Sequence, residues 1–148
     1  MIETVVCETT DVAYNCGRLL AIFDELQSAA HDYKLEGAGV VERYYGTASS
    51  APNSAFGILW RLHQHHLRKL NRSGDKGRAA AYAIEGRIAD IARLFRQPAP
   101  NLPPEFPRTF TLVEQGRFAL GFYQEKAASA DRRTDAMNAK KSREQSKE

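Results

Sequence analysis

Apolar residues recur along this chain at intervals of three and four, the spacing of one face of an α-helix. Val12, Cys16, Leu19, Phe23, Leu26 and Ala30 fall on one stripe. They predict an amphipathic helix over residues 11–31, with Thr9 or Thr10 as its cap. "LEGAGVV" (35–41) ends it, and "VVERYYG" (40–46) predicts a short helix closing at Gly46. "TASSAPNS" (47–54) reads as a turn opening the next helix, with Ser49 or Ser50 near the cap and Pro52 in the first turn. That helix reaches about Asn71, and "SGDKG" (73–77) is a connector. Ile84, Ile88, Ile91 and Phe95 form the stripe of a further long helix over 78–96. Five prolines in "QPAPNLPPEFP" (97–107) leave only extended loop there. In "TLVE", Thr111 and Glu114 make a capping box that opens a helix over 112 to about 128. Gly116 and Gly121 inside that helix cost stability, which predicts close packing of a neighbouring helix. The end of the chain, "DRRTDAMNAKKSREQSKE", is almost free of apolar residues and predicts a disordered or frayed tail. Nothing alternates with period two. The expected fold is all-α: a bundle of about four main helices over 1–128, a Pro-rich loop, and a charged flexible tail over 129–148.

Composition narrows the function classes. The 148 residues are 43% hydrophobic and 26% charged, as in an ordinary soluble globular domain. No apolar run is long enough to span a bilayer, and "MIETVVCETTD" lacks the features of an export signal, so a cytoplasmic location is expected. Cys7 and Cys16 are too few for a disulfide framework and read as reduced and structural. The net charge of +3 is unevenly spread. Residues 1–60 hold three Lys/Arg and eight Asp/Glu, whereas residues 61–96 hold nine Lys/Arg and three Asp/Glu. This basic island points to a polyanionic partner.

The island opens with "RLHQHHLRKL" (61–70). At about 100° per residue, Phe56, Leu59, Trp60, His63, Leu67 and Leu70 share one face of the helix, with His66 at its edge. Arg61, His65, Arg68 and Arg72 take the opposite face. The three histidines therefore do not converge. His63 and His66 are i,i+3 neighbours, but no third ligand and no glutamate base stand between them as in an HExxH site. His63 is expected to be a buried histidine held by a hydrogen bond, and His65 to be exposed. Arg68 and Arg72 repel each other at i,i+4 with no acid in that stretch to relieve them, which suits either a solvated face or a phosphate backbone. Opposite the isoleucine stripe lie Arg78, Tyr82, Arg93 and Arg96. Tyr82 either stacks a base between these cations or packs on a neighbouring helix. The candidate nucleic-acid-binding set is Arg61, His65, Arg68, Lys69, Arg72, Arg78, Tyr82, Arg93 and Arg96. There is no GxSxG, Walker loop or dinucleotide fingerprint. Asp24 and Glu25, as sequence neighbours, point to different sides of their helix. No catalytic residue, metal or cofactor is expected.

Four stretches carry a resemblance: "NCGRLLAIFDELQ" (15–27), "RYYGTASSAPNSAF" (43–56), "LHQHHLRKL" (62–70) and "EQGRFALGFYQEK" (114–126). As an ordered set spanning about residues 10–127, they resemble the C-terminal domain of the large subunit of the type I-C CRISPR surveillance complex, Cascade. In that family the segment is also made alone from an internal start codon as a small subunit, and Met1 just before the matching region fits that product. The resemblance implies a helical, non-enzymatic subunit that lines the complex beside further copies of itself. It would bridge the backbone and large subunits and steady the crRNA-guided target strand and the displaced non-target strand of the R-loop. The part of the parent that reads the protospacer-adjacent motif is not in this sequence, and that role does not carry over. Two other readings stand beside this one: a pure protein–protein assembly adaptor, and a small histidine-dependent nuclease.

Overall fold

The computed structural model describes residues 9–35, 37–100 and 102–147. Five helices and no strand occur among them. They are α1 (Val12–Ala30), α2 (Val40–Ser50), α3 (Pro52–Asn71), α4 (Asp75–Ala92) and α5 (Leu112–Gln145). The short α2 adds to the four main helices that periodicity predicts.

α1 is the centre of the bundle and touches the other four helices. Its stripe is wider than one face: Ala13, Cys16, Leu19, Leu20, Ile22, Phe23 and Leu26 are all buried. Val12, expected in the core, is exposed at the N-terminal rim. The N-cap is Asp11 rather than Thr9 or Thr10, and its carboxylate accepts the Tyr14 N–H at 2.8 Å. An ionised carboxylate also suits the positive end of the helix dipole better than a hydroxyl does. Buried Cys16 is a free thiol, its pKa raised by burial and by the nearby Asp11 carboxylate. Cys7 lies outside the described residues.

α1 and α5 run side by side in the same direction and meet at two glycines. A Cβ on Gly17 would stand 2.0 Å from the Phe118 carbonyl oxygen, and one on Gly121 would stand 2.0 Å from that of Tyr14. Gly121 thus carries the close packing predicted for it. Gly116 does not, since nothing lies within 4 Å of its Cβ position.

α2 runs through Gly46 to Ser50, so "TASS" is helix rather than turn, and Ala51 alone separates it from α3. Neither Ser49 nor Ser50 caps α3; both hydroxyls bond back to the Gly46 carbonyl. Pro52 opens α3. α4 begins at Asp75, inside the expected connector, because Gly74 at φ +100° makes the turn and Asp75 suits a helix N-terminus. It ends at Ala92, so Phe95 reaches the core from the following turn.

The Pro-rich loop is stapled inward. Phe106 stacks on Phe56 (4.6 Å, 14°), and the Asn53 N–H donates to the Pro107 carbonyl at 2.9 Å. The Thr111/Glu114 box closes in both directions, at 2.9 and 3.2 Å. α5 then continues through residues 129–145, where a flexible tail was expected. Residues 122–147 contain neither Gly nor Pro and are rich in Ala, Lys, Arg and Glu, so propensity alone favours helix there. Every side chain from Ala130 to Lys147 is exposed.

Candidate nucleic-acid interface

α3 and α4 form an antiparallel hairpin. Its register is set where Gly77 lies against the last turn of α3; a Cβ there would stand 2.3 Å from the Leu70 carbonyl oxygen. The apolar faces of both helices turn toward α1, and the polar rows face outward. Arg61, His65, Arg68, Lys69, Arg72, Arg78, Tyr82, Arg93 and Arg96 are all exposed. Tyr82, at 83% exposure, packs on no neighbouring helix. Counting back from Gly77 against Leu70, it stands level with the middle of α3.

The cations divide into two kinds. Arg78 is paired with Asp75 and Arg93 with Asp90, each one turn away on α4. Arg96 lies 3.9 Å from Glu105, and the Lys69 ammonium 3.2 Å from His31 Nδ1. Arg61, Arg68 and Arg72 have no carboxylate partner among the described residues. They occupy one flank of α3 as an unneutralised row. The α4 pairs are exposed to solvent and therefore weak.

Arg87, counted in the basic island, belongs to the interior. Its guanidinium bridges Glu25 (2.7 Å) and Glu125 (2.9 Å) and also donates to Ser129 Oγ (2.9 Å). Glu125, with 3% side-chain exposure, takes further contacts from Arg18 (3.3 Å) and Arg132 (3.5 Å). Burial opposes the charge on Arg87, but the hydrogen bonds and proximity of Glu125 and Glu25 outweigh it and hold its pKa above the ordinary value. The signal was present in the sequence: Arg87 sits three residues after Ile84 and four before Ile91, on the edge of the core stripe.

Between α3 and α4 runs a groove of about 440 Å³, lined by Trp60, His63, Gln64, Leu67, Glu85, Ile88, Ala89, Ala92, Arg93, Gln97 and Pro100. Sequence periodicity does not reveal it. A larger cleft of about 710 Å³ lies between the start of α1 and the end of α4. The arginine in its lining, Arg18, is committed to Glu125 and Asn15.

His63 is buried as expected, at 5% exposure, but it is held by rings rather than by a hydrogen bond. It stacks on Phe23 (4.8 Å, 12°) and meets the edge of Trp60 at 4.5 Å, and its Nδ1 makes no well-formed hydrogen bond. His66 is buried too, rather than at an edge. Burial lowers the His63 pKa to about 4 against weaker opposing effects of the Trp60 and Leu59 backbone. Burial, then His31, His65 and Lys69, lower that of His66 to about 4 as well. Among the described residues, no three His, Cys, Asp or Glu side chains are grouped as metal ligands.

The two buried imidazoles make the fold acid-sensitive. Each is neutral in the folded state down to about pH 4, whereas the unfolded chain protonates it below its ordinary 6.5. The unfolded state therefore binds more protons in that window, and stability falls as pH drops through it. Each histidine should cost about 2 kcal/mol between pH 7.5 and pH 5. His63→Leu should remove about half of this loss, leave neutral-pH stability nearly unchanged, and be read by urea unfolding at both pH values. An acid loss of the same size in the variant would refute the assignment.

No described helix is long and apolar enough to cross a membrane. No curated protein matches the chain. Residues 6–130 match the family described as CRISPR-associated protein (Cas_Csd1). The match takes in α1 to α4, the groove and the crossing half of α5, and the chain therefore belongs to the Csd1 family of CRISPR-associated proteins.

Proposed function

We propose that this chain is a non-catalytic, cytoplasmic small subunit of an RNA-guided CRISPR surveillance complex of the Cascade type, type I-C. Its α3–α4 face holds the sugar-phosphate backbone of the target strand or the displaced non-target strand in the R-loop. The observation that carries this reading is the unpaired row Arg61, Arg68 and Arg72. Three exposed guanidiniums on one helix flank repel one another, and a phosphate backbone running along the flank is the counter-charge that relieves them. Such contacts are sequence-neutral, as suits a complex in which guide pairing reads the sequence. Arg78 and Arg93 extend the face onto α4.

Target binding by complexes reconstituted with Arg61→Glu/Arg68→Glu/Arg72→Glu protein, over a salt series, tests the reading. Each lost phosphate contact should flatten the log–log salt slope by about 0.7 for a single strand, so by about 2 for three. Affinity near physiological salt should fall roughly tenfold or more, alike for all target sequences. The fold should survive, because these side chains face away from the core. Normal affinity and slope with the subunit still incorporated would favour the adaptor reading. The observation on that side is the outer face of α5, where Leu112, Val113, Leu120 and Tyr123 are exposed; such a face suits protein better than DNA.

A further inference from the structure

We propose that the groove between α3 and α4 receives an unstacked nucleobase of the strand whose phosphates the flanking arginines hold. The inference rests on the functional reading above and gives it a second, base-dependent component.

The groove is apolar at its base and polar at its rim. Trp60, Leu67, Ile88 and Ala92 supply the base, and Gln64, Glu85 and Gln97 the rim. Its volume of about 440 Å³ lies in the range of small-ligand sites. An aromatic ring needs such an apolar slot for its faces and hydrogen-bonding groups for its edge. The two glutamine amides both donate and accept, and the Glu85 carboxylate accepts from a ring N–H or an exocyclic amine. A rim of this kind takes any base without selecting one, as guide-directed recognition requires.

Charge placement selects a nucleotide over an apolar peptide side chain. Arg61 and Arg68 flank Gln64 at i−3 and i+4 on α3, where side chains are direct neighbours. On α4, Arg93 follows the groove residue Ala89 by four, and Tyr82 precedes Glu85 by three. The slot is therefore bordered by a cationic row on one side and by a second arginine and an exposed ring on the other. A single strand passing along the α3 flank has its phosphates on the arginines and its bases turned toward the groove. Tyr82 offers the neighbouring base a stacking surface.

The chain carries its own reporter, since Trp60 is its single tryptophan and lines the groove. The test is titration of the full chain with oligothymidylate of about 20 nucleotides, and with an abasic deoxyribose-phosphate strand of equal length. Binding is read by anisotropy of a label on the strand, and groove occupancy by Trp60 emission. Oligothymidylate should quench or shift Trp60 emission and bind roughly tenfold more tightly than the abasic strand, since stacking contributes substantially per base. The abasic strand should bind with Trp60 unperturbed. Ala89→Phe, at an exposed lining position, should fill the slot and abolish the difference while leaving abasic-strand binding unchanged. Equal affinity for both strands with no change at Trp60 would overturn the groove and leave the phosphate reading standing. Binding of neither strand would overturn both.

Discussion

Gly121→Ala is expected to destabilise the bundle by about 3 kcal/mol or more, although alanine is the better helix former by about 1 kcal/mol. The new methyl would stand 2.0 Å from the Tyr14 carbonyl oxygen and 2.9 Å from its carbonyl carbon. Both are backbone atoms of α1, so no side-chain rotation makes room and the helices must part. Separation breaks more than one contact, since α1 and α5 also share the Phe118 and Phe122 packing and the Arg18–Glu125 and Asp24–Lys126 ion pairs. Overpacking typically costs about 1–3 kcal/mol, and a clash with backbone belongs at the upper end. Gly17→Ala meets the Phe118 carbonyl at the same distance and should behave alike. Gly116→Ala is the control within the same helix. It is exposed with nothing near its Cβ position, and should gain about 0.5–1 kcal/mol. Denaturant unfolding followed by circular dichroism reads all three. Similar shifts at positions 116 and 121 would show that α1 and α5 do not cross here.

That contrast marks where local sequence reading stops. Periodicity found the helices and the core stripes because each is a property of one segment. It placed His63 inside and His65 outside from their angles on α3 alone. It does not tell Gly116 from Gly121, because what separates them is Tyr14, more than 100 residues away. The same holds for Arg87. Its place at the edge of the isoleucine stripe is legible, but its two carboxylate partners lie on helices that only the tertiary fold brings together. Helix ends went astray where several residues compete for one role. Thr9, Thr10 and Asp11 all suit a cap, and Asp11 won. The serines of "TASS" suit a cap as well as a last helical turn, where their hydroxyls bond back to Gly46.

The candidate site divides in the same way. The exposed cations are legible because an outward row is the complement of an inward stripe. Which of them are neutralised is only partly so. The i,i+3 partners Asp75 and Asp90 can be read in the sequence beside Arg78 and Arg93, and with Arg87 withdrawn into the interior they leave the unpaired arginines of the hairpin on α3. The groove could not be foreseen, since its shape depends on how far apart α3 and α4 stand once Trp60, His63 and Ile88 are packed.

Arg87→Leu is expected to cost about 3–5 kcal/mol, the range for removing one partner of a buried ion pair. Leucine keeps much of the aliphatic packing, so the loss is chiefly electrostatic. Glu25 would be left with only Ser129 Oγ, at 2.8 Å, in place of a guanidinium. Glu125 would keep Arg18 and Arg132 but lose the shorter of its contacts. Arg87→Lys should rescue little, because a single ammonium cannot fork to carboxylates on α1 and α5 at once. If the stranded charge is the cause, Glu25→Gln should be milder in the Arg87→Leu background than in the wild type. The double-mutant cycle isolates that coupling, expected at about 1–3 kcal/mol. Since Arg87 faces the interior while Arg61, Arg68 and Arg72 face out, the folded fraction of Arg87→Leu protein should keep its salt-dependent strand binding. Arg87→Leu stability within about 1 kcal/mol of wild type would mean that the network is solvated and that apolar packing alone holds α4 against α1.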